Sequence, residues 1–274
     1  MSFTSSRPPR WSIVSATALL LLALASAAVS APEGEAADPN VDAEAMRSLE
    51  RMSELLARTQ ELTVTIDVGY DVVQEWGQKI EFGETRVLKV RRPDRLRVDT
   101  TSRDGSRSGV VFDGSQIAAF DLKDEVYATA PQPGSLDDTI AHFVDDLGMR
   151  LPMAPILQGR LAREAPEWAR EIRYVEASAI AGVPCDHVAI RGDWEDVQLW
   201  IARGDRPVPQ RIVVTYTRAE GRPQFWAQLR SWDLAPRVKD SAFAFTPPEG
   251  AAKIAFRPRR LGPQAPQEPA GDRQ

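Results

Sequence analysis

The rarest side chains of the chain stand together at Cys185-Asp186-His187. Cys185 is the only cysteine, and His187 is one of two histidines. A catalytic thiol needs a base within hydrogen-bond distance, a third group that orients the base, and a lowered pKa. Residues two apart on a strand point to the same face, so Cys185 and His187 could approach each other. A Cys-His hydrolase is therefore one hypothesis for the function.

The surrounding sequence favours a structural role for these residues. No glycine-rich oxyanion loop adjoins Cys185, and the stretch enters a strand from a turn at residues 181–184. A metal site at Asp186, His187 and Asp193 is conceivable, but the two histidines lack the spacing of known metal motifs. We therefore predict no catalytic residue, no metal and no cofactor, and we expect Cys185 to be a small residue partly buried in a strand.

The first thirty residues predict export. Two arginines precede an apolar run at residues 13–24, which has the length of a signal-peptide core and falls short of the roughly 20 residues of a membrane span. Small residues at 28–30, or alternatively at 25–27, fit a cleavage site. The sequence predicts a cleaved signal peptide at 1–30 and a periplasmic protein with no lipid anchor and no integral membrane segment. An uncleaved N-terminal anchor is the alternative.

The amino-acid composition limits the classes of molecule that this chain can bind. The chain has 34 Lys and Arg against 39 Asp and Glu, a net charge of −5, and no basic tract. Nucleic-acid backbones are poor partners for such a surface, so we predict no nucleic-acid binding. One cysteine cannot form an intramolecular disulfide, so the fold must depend on its hydrophobic core.

A single domain is predicted at residues 41–256. It is preceded by a solvated linker at 31–40 and followed by a proline-rich, disordered tail at 257–274. From Val41 to Leu62 there is no Gly or Pro, and apolar residues recur at helical spacing, which predicts an amphipathic helix with Asn40 as its N-cap.

After Leu62 the spacing of apolar residues changes from the 3.6-residue period of a helix to the two-residue period of a strand. Two runs of short strands, at about 63–130 and 170–256, are joined by turns such as Asp113-Gly114, and turns this short require antiparallel pairing. The last strand is predicted at Phe243–Phe245. Between the runs, Ser135 begins a second helix. The apolar face of this helix carries Ile140, Phe143, Val144 and Leu147 before Gly148 ends it.

Three stretches resemble a family of predicted periplasmic proteins of unknown function. They are CDHVAIRGDWEDVQLWIARGDRPVPQRIVVTY after Gly182, the strand WAQLRSWDLAP, and the ending FAFTPPEGAAKIAF. That family is similar to the group of the lipoprotein carriers LolA and LolB, the regulator RseB and the lipoprotein LppX. The resemblance implies an α+β fold in which a curved antiparallel sheet of about ten or eleven strands forms an incomplete, LolA-like β-barrel. The N-terminal and mid-chain helices would close it over an apolar cavity.

Strand alternation assigns side chains to the two faces of this sheet. A face that carries Trp200, Trp226 and Trp232 would form an outer aromatic patch, unless a loop or helix covers it. The residues predicted to face the cavity are Leu96, Val98, Val188, Ile190, Leu199, Ile201, Phe225 and Leu229.

Three functions follow as hypotheses. The first is a periplasmic carrier or sensor that binds an acyl chain, a lipid or a lipoprotein in the cavity. The alternative is an envelope protein-interaction or regulatory module, similar to RseB, that docks a partner protein on the tryptophan patch or on a sheet edge. The third is the Cys-His hydrolase, which has the least support.

Overall fold

The computed structural model describes residues 40–142 and 151–255 of the chain. The predicted signal peptide and tail, and the end of the mid-chain helix, stay predictions because they fall outside these ranges. The predicted segments and residues outside are 1–30, 31–39, Phe143, Val144, Leu147, Gly148 and 256–274.

Within the described ranges the chain forms four helices, twelve strands and a 3₁₀ turn. The helices are α1 (Ala43–Arg58), α2 (Leu136–Ala141), α3 (Ala154–Leu157) and α4 (Leu161–Trp168), and the 3₁₀ turn is Asp240–Phe243. The strands are β1 (Glu61–Val73), β2 (Lys79–Arg91), β3 (Arg95–Ser102), β4 (Arg107–Phe112), β5 (Gln116–Asp121), β6 (Val126–Pro131), β7 (Ala169–Ile180), β8 (Val183–Gly192), β9 (Glu195–Ala202), β10 (Pro209–Tyr216), β11 (Gln224–Asp233) and β12 (Ala252–Lys253).

All twelve strands belong to one sheet with the order β12-β6-β5-β4-β3-β2-β1-β11-β10-β9-β8-β7. Neighbours are antiparallel, except that β12 runs parallel to β6. Two meanders, β1–β6 and β7–β11, are joined where β1 pairs with β11. The sheet is curved, and its outer strands β7 and β12 do not pair with each other. The prediction of an α+β fold with an incomplete antiparallel barrel is confirmed.

Helix α1 is shorter than the sequence predicts. The Asp42 carboxylate accepts hydrogen bonds from the backbone N–H of Glu44 at 2.7 Å and of Ala45 at 3.3 Å, so Asp42 is the N-cap. The prediction of Asn40 as N-cap is wrong because its carbonyl instead accepts from Ile172 in β7. Leu62 lies in β1, where it precedes the β-branched run at residues 63–66.

The inner face of the sheet is the one that carries its buried aliphatic side chains. Helix α1 packs on this face against β7, β8 and β9, and buries Leu49, Met52 and Leu56 completely. The opposite, outer face carries polar side chains such as Thr65, Asp67 and Lys89. The main core therefore lies between the sheet and its helices.

The other helices follow the first meander. Ser135 begins α2 as predicted, with a capping box in which Ser135 and Asp138 satisfy each other's backbone N–H groups. Helix α4 was not predicted, because Pro166 interrupts a short pattern in which only Leu161, Ala162 and Ala165 are buried.

The predicted strand at Phe243–Phe245 is wrong. Phe243 ends the 3₁₀ turn, and Phe245 packs against the rings of Phe120 and Tyr127 at centroid distances of 6.2 and 5.8 Å. The alternation of this stretch reflects packing of its two phenylalanines on the sheet, without ladder hydrogen bonds of its own.

Candidate ligand-binding site

A cavity of about 220 Å³ lies between the inner face of the sheet and the α2–α3 region. Its floor comes from β1, β2, β3, β10 and β11, and its roof from α2, α3 and residues 151–153. The sheet supplies Ile66, Tyr70, Arg86, Leu88, Val90, Leu96, Val98, Tyr216, Gln224 and Phe225, with Arg92 just after β2. The roof supplies Leu136, Ile140, Leu151, Pro152, Met153, Ala154, Leu157 and Gln158.

Three of the eight predicted cavity residues line this space: Leu96, Val98 and Phe225. The other five lie on the inner face but outside the lining, in the core cluster that includes α1. The physical reason is the position of α1, which fills the space over β7–β9 with its own side chains. Four of the five residues lie on β8 and β9 beneath α1: Val188, Ile190, Leu199 and Ile201. The fifth, Leu229, lies on β11 in the same core cluster.

At one end of the cavity the lining becomes polar. Arg86 of β2 reaches this boundary with 26% of its side chain exposed, and it pairs with Glu84, whose side chain is 15% exposed. Tyr70 and Gln224 line the same region from β1 and β11. An apolar chain with a polar head would match such a lining.

The other end is closed by contacts of Arg92. Its guanidinium donates to the carbonyl of Thr59, after α1, at 3.2 Å and to that of Leu157 in α3 at 2.9 Å. It also lies 3.9 Å from the carboxylate of Asp137 in α2, which accepts from Gln158 at 2.7 Å. Arg92 therefore connects three helices to the sheet.

Sequence reasoning missed Arg86 and Arg92 as parts of the site. Arg86 had a readable signal, since the spacing Arg86-x-Leu88-x-Val90 puts it on the face of the buried residues. Arg92 had none, because it follows the strand and its role depends on three helices that dock there.

The predicted tryptophan patch is smaller than expected. Trp200 and Trp226 lie on the outer face and are half-buried. The Trp200 ring stacks on His187 with centroids 4.1 Å apart. Trp226 donates to Glu81 at 3.1 Å and carries the Arg211 guanidinium 5.3 Å from its ring centre. Both rings are thus engaged with neighbouring side chains.

Trp232 lies on the inner face, contrary to the prediction. In the pairing of β1 with β11, Thr65 faces Arg230 but Thr63 faces Asp233, so β11 carries an extra residue there. Ser231 accommodates it with φ of 55°. The bulge reverses the alternation, and Trp232 packs with the core while its indole donates to the Pro209 carbonyl at 3.0 Å.

Cys185, Asp186 and His187 are not arranged as a catalytic group. Cys185 is fully buried, burial raises the pKa of its thiol, and Sγ donates to the Val183 carbonyl at 3.2 Å. Burial lowers the pKa of His187, whose Nε2 lies 3.2 Å from Oε1 of Gln198. Asp186 turns to α1 and accepts from Ser48 at 3.0 Å. An activated thiol would need the opposite pKa shift.

The thiol of Cys185 is expected to be inert in the folded protein. We predict that it reacts with the disulfide reagent DTNB at least ~100-fold more slowly than in guanidinium chloride, because a buried thiol reacts only when the structure opens. Absorbance after mixing gives both rates. A native rate equal to that of the unfolded chain would contradict this burial and restore the thiol as a nucleophile candidate.

The fold and the site together define a class of protein: an open antiparallel half-barrel, covered by helices on one face, with an apolar cavity beneath them. No helix in residues 40–142 or 151–255 is both long and apolar enough to cross a bilayer.

The chain belongs to the family described as "Predicted periplasmic protein (DUF2092)", whose model matches residues 45–257. The predicted family and the periplasmic localisation are thereby confirmed. Among curated proteins, none matches the sequence.

Several solved structures are similar to the chain. The lipoprotein LppX of Mycobacterium tuberculosis is 12% identical, with 72% of this chain and 100% of that chain covered and a TM-score of 0.45. MucB in the Pseudomonas aeruginosa MucA/MucB complex is 17% identical, with 74% and 62% covered and a TM-score of 0.40. A LolA superfamily protein from Nitrosomonas europaea is 12% identical, with 73% and 96% covered and a TM-score of 0.33.

Proposed function

We propose that this protein is a periplasmic carrier or sensor that binds the acyl chain of an amphiphile in the cavity between the sheet and the α2–α3 region. The observation that carries the proposal is the lining itself. Aliphatic side chains such as Leu88, Val90 and Val98 surround the middle of the cavity, while arginines stand at its two ends. Ligand pockets typically combine an apolar wall with a few polar groups that fix orientation.

The size of the cavity supports a single chain. A volume of 220 Å³ far exceeds the roughly 10–15 Å³ that a cavity needs to hold one water molecule, so the space can admit an acyl chain. Each buried methylene contributes about 0.8 kcal/mol, so affinity should rise with chain length until the cavity is filled.

Reducing the volume of the cavity should weaken binding. The substitution Val98→Phe places a ring in the lining, and we expect affinity for monododecanoylglycerol to fall at least about tenfold, equivalent to about 1.4 kcal/mol. Calorimetric titration measures this affinity, and native mass spectrometry of protein purified from periplasm shows whether a natural ligand is carried.

Val87→Phe is the matched control. Val87 is next to Leu88 on β2 and pairs with Thr65 on the outer face, so the same enlargement there leaves the cavity unchanged. We expect wild-type binding from this variant. Equal binding by both variants, or no binding of any acyl compound by the wild type, would reject the proposed function.

A further inference from the structure

An ion pair lies on the inner face of the sheet, with Arg86 in the lining of the cavity and its partner Glu84 next to it. Arg86 and Glu84 are two residues apart on β2, so both point to the side of Leu88 and Val90. Nε of Arg86 donates to Oε1 of Glu84 at 2.6 Å, and Nη2 contacts the same oxygen. Ionic side chains are rare on a face that builds a core, so this pair needs an explanation.

The pair occupies the transition from cavity to solvent. Along the inner face of β2, Val90 and Leu88 are 5% and 7% exposed, whereas the side chains of Arg86 and Glu84 are 26% and 15% exposed. A chain bound over Val90 and Leu88 would end beside the ion pair. The head group of the same amphiphile would then meet Arg86 and Glu84.

Both partners keep hydrogen-bonding capacity for a ligand. Among residues 40–142 and 151–255, Nη1 of Arg86 and Oε2 of Glu84 have no partner within the protein. The first is a donor with positive charge and the second an acceptor with negative charge. Together they offer a head group two complementary contacts with a net charge of zero.

We infer that the cavity selects amphiphiles whose head group carries no net charge, either neutral and hydroxyl-bearing or zwitterionic. This inference rests on the proposed function. Such a head can accept from Arg86 while it donates to, or places a cation beside, Glu84. An anionic head gains from Arg86 but is repelled by Glu84 at a similar distance, so desolvation of its charge is left uncompensated.

The test compares four probes that share one dodecyl-length chain: monododecanoylglycerol, dodecylphosphocholine, dodecanoate and dodecylammonium. Each is titrated below its aggregation concentration at neutral pH by calorimetry. The wild type is expected to bind the first two about tenfold more tightly than the two ions.

Variants of the pair should change this selectivity in opposite directions. Glu84→Gln leaves an uncompensated cation, so dodecanoate should bind about tenfold more tightly than to the wild type. Arg86→Gln leaves an anion, so dodecylammonium should gain by a similar factor and dodecanoate should lose. The double variant Glu84→Gln/Arg86→Gln is again neutral, and it should return to the preference for uncharged heads even if one single variant is poorly folded.

Arg47→Gln and Glu50→Gln are matched controls, because both side chains are exposed on α1 and change the net charge equally. They should leave the order of the four probes unchanged. If all variants bind the four probes as the wild type does, the inference is overturned while chain binding in the cavity stands. If no probe binds the wild type, the proposed function fails and the inference falls with it.

Discussion

The substitution Gly159→Ala is expected to lower the free energy of unfolding by about 3 kcal/mol, one of the two largest effects that we predict for a single substitution. Gly159 follows α3 with φ of 70°, a left-handed conformation that disfavours every side chain. A Cβ there would also lie 2.5 Å from the carbonyl oxygen of Ser53 and from the backbone nitrogen of Ala57, both in α1. Backbone atoms of a helix cannot move aside singly, so the α3–α4 connection would have to separate from α1.

The variant Gly182→Ala separates the cost of the left-handed conformation from that of the clash with α1. Gly182 has φ of 82°, but a Cβ there meets nothing within 4 Å, so only the conformational cost of about 1 kcal/mol applies. Urea denaturation followed by circular dichroism measures both variants. Equal losses of stability would mean that the contact between α1 and the α3–α4 connection is not close.

Replacing Arg92 with methionine is expected to cost roughly 2–4 kcal/mol of stability and to loosen the roof of the cavity. The side chain is only 13% exposed, and its removal leaves the carbonyls of Thr59 and Leu157 without their donor. Lysine should recover part of the loss, because one ammonium cannot replace the fork of a guanidinium.

Hydrogen exchange distinguishes a local from a general effect of this change. In Arg92→Met, amides of α2 and α3 should exchange faster than in the wild type, because Arg92 joins these helices to the sheet. Amides of β8 and β9 should show a smaller increase. Arg95→Met is the control, since within residues 40–142 and 151–255 the hydrogen bond and ion pair of the Arg95 side chain are both with Asp94. A uniform increase in exchange, or the same loss in the control, would contradict the role assigned to Arg92.

Much of the fold follows from the sequence because strand alternation and short turns are local. The hairpin at Asp113-Gly114 and the capping box at Ser135 are each decided by a few neighbouring residues. Trp232 was predicted on the wrong face because a single bulged residue reverses the alternation of the strand. The residue types around Ser231 do not indicate this bulge. Phe243 and Phe245 alternate like a strand but pack without pairing, a distinction that periodicity cannot make.

The candidate site was less predictable than the fold. Alternation shows that Val188 and Leu199 face inward, but whether a helix already occupies the space above them depends on how α1 docks. Leu96 and Val98 line the cavity because α1 packs on β7–β9, so that α2, α3 and residues 151–153 cover this part of the sheet. The cavity is thus a property of helix placement, which emerges only from packing of the whole chain.

The pairing of β1 with β11 affects the order in which the parts of the protein fold. β1 ends at Val73, yet its second neighbour begins only at Gln224, so the join between the meanders is among the most sequence-distant contacts of the fold. Such contacts form late and slow the folding of β proteins. A chain that crosses the inner membrane from its N-terminus exposes β1 with one edge unpaired until nearly all of the protein has arrived. During that interval the unpaired edge of β1 is open to pairing with other chains.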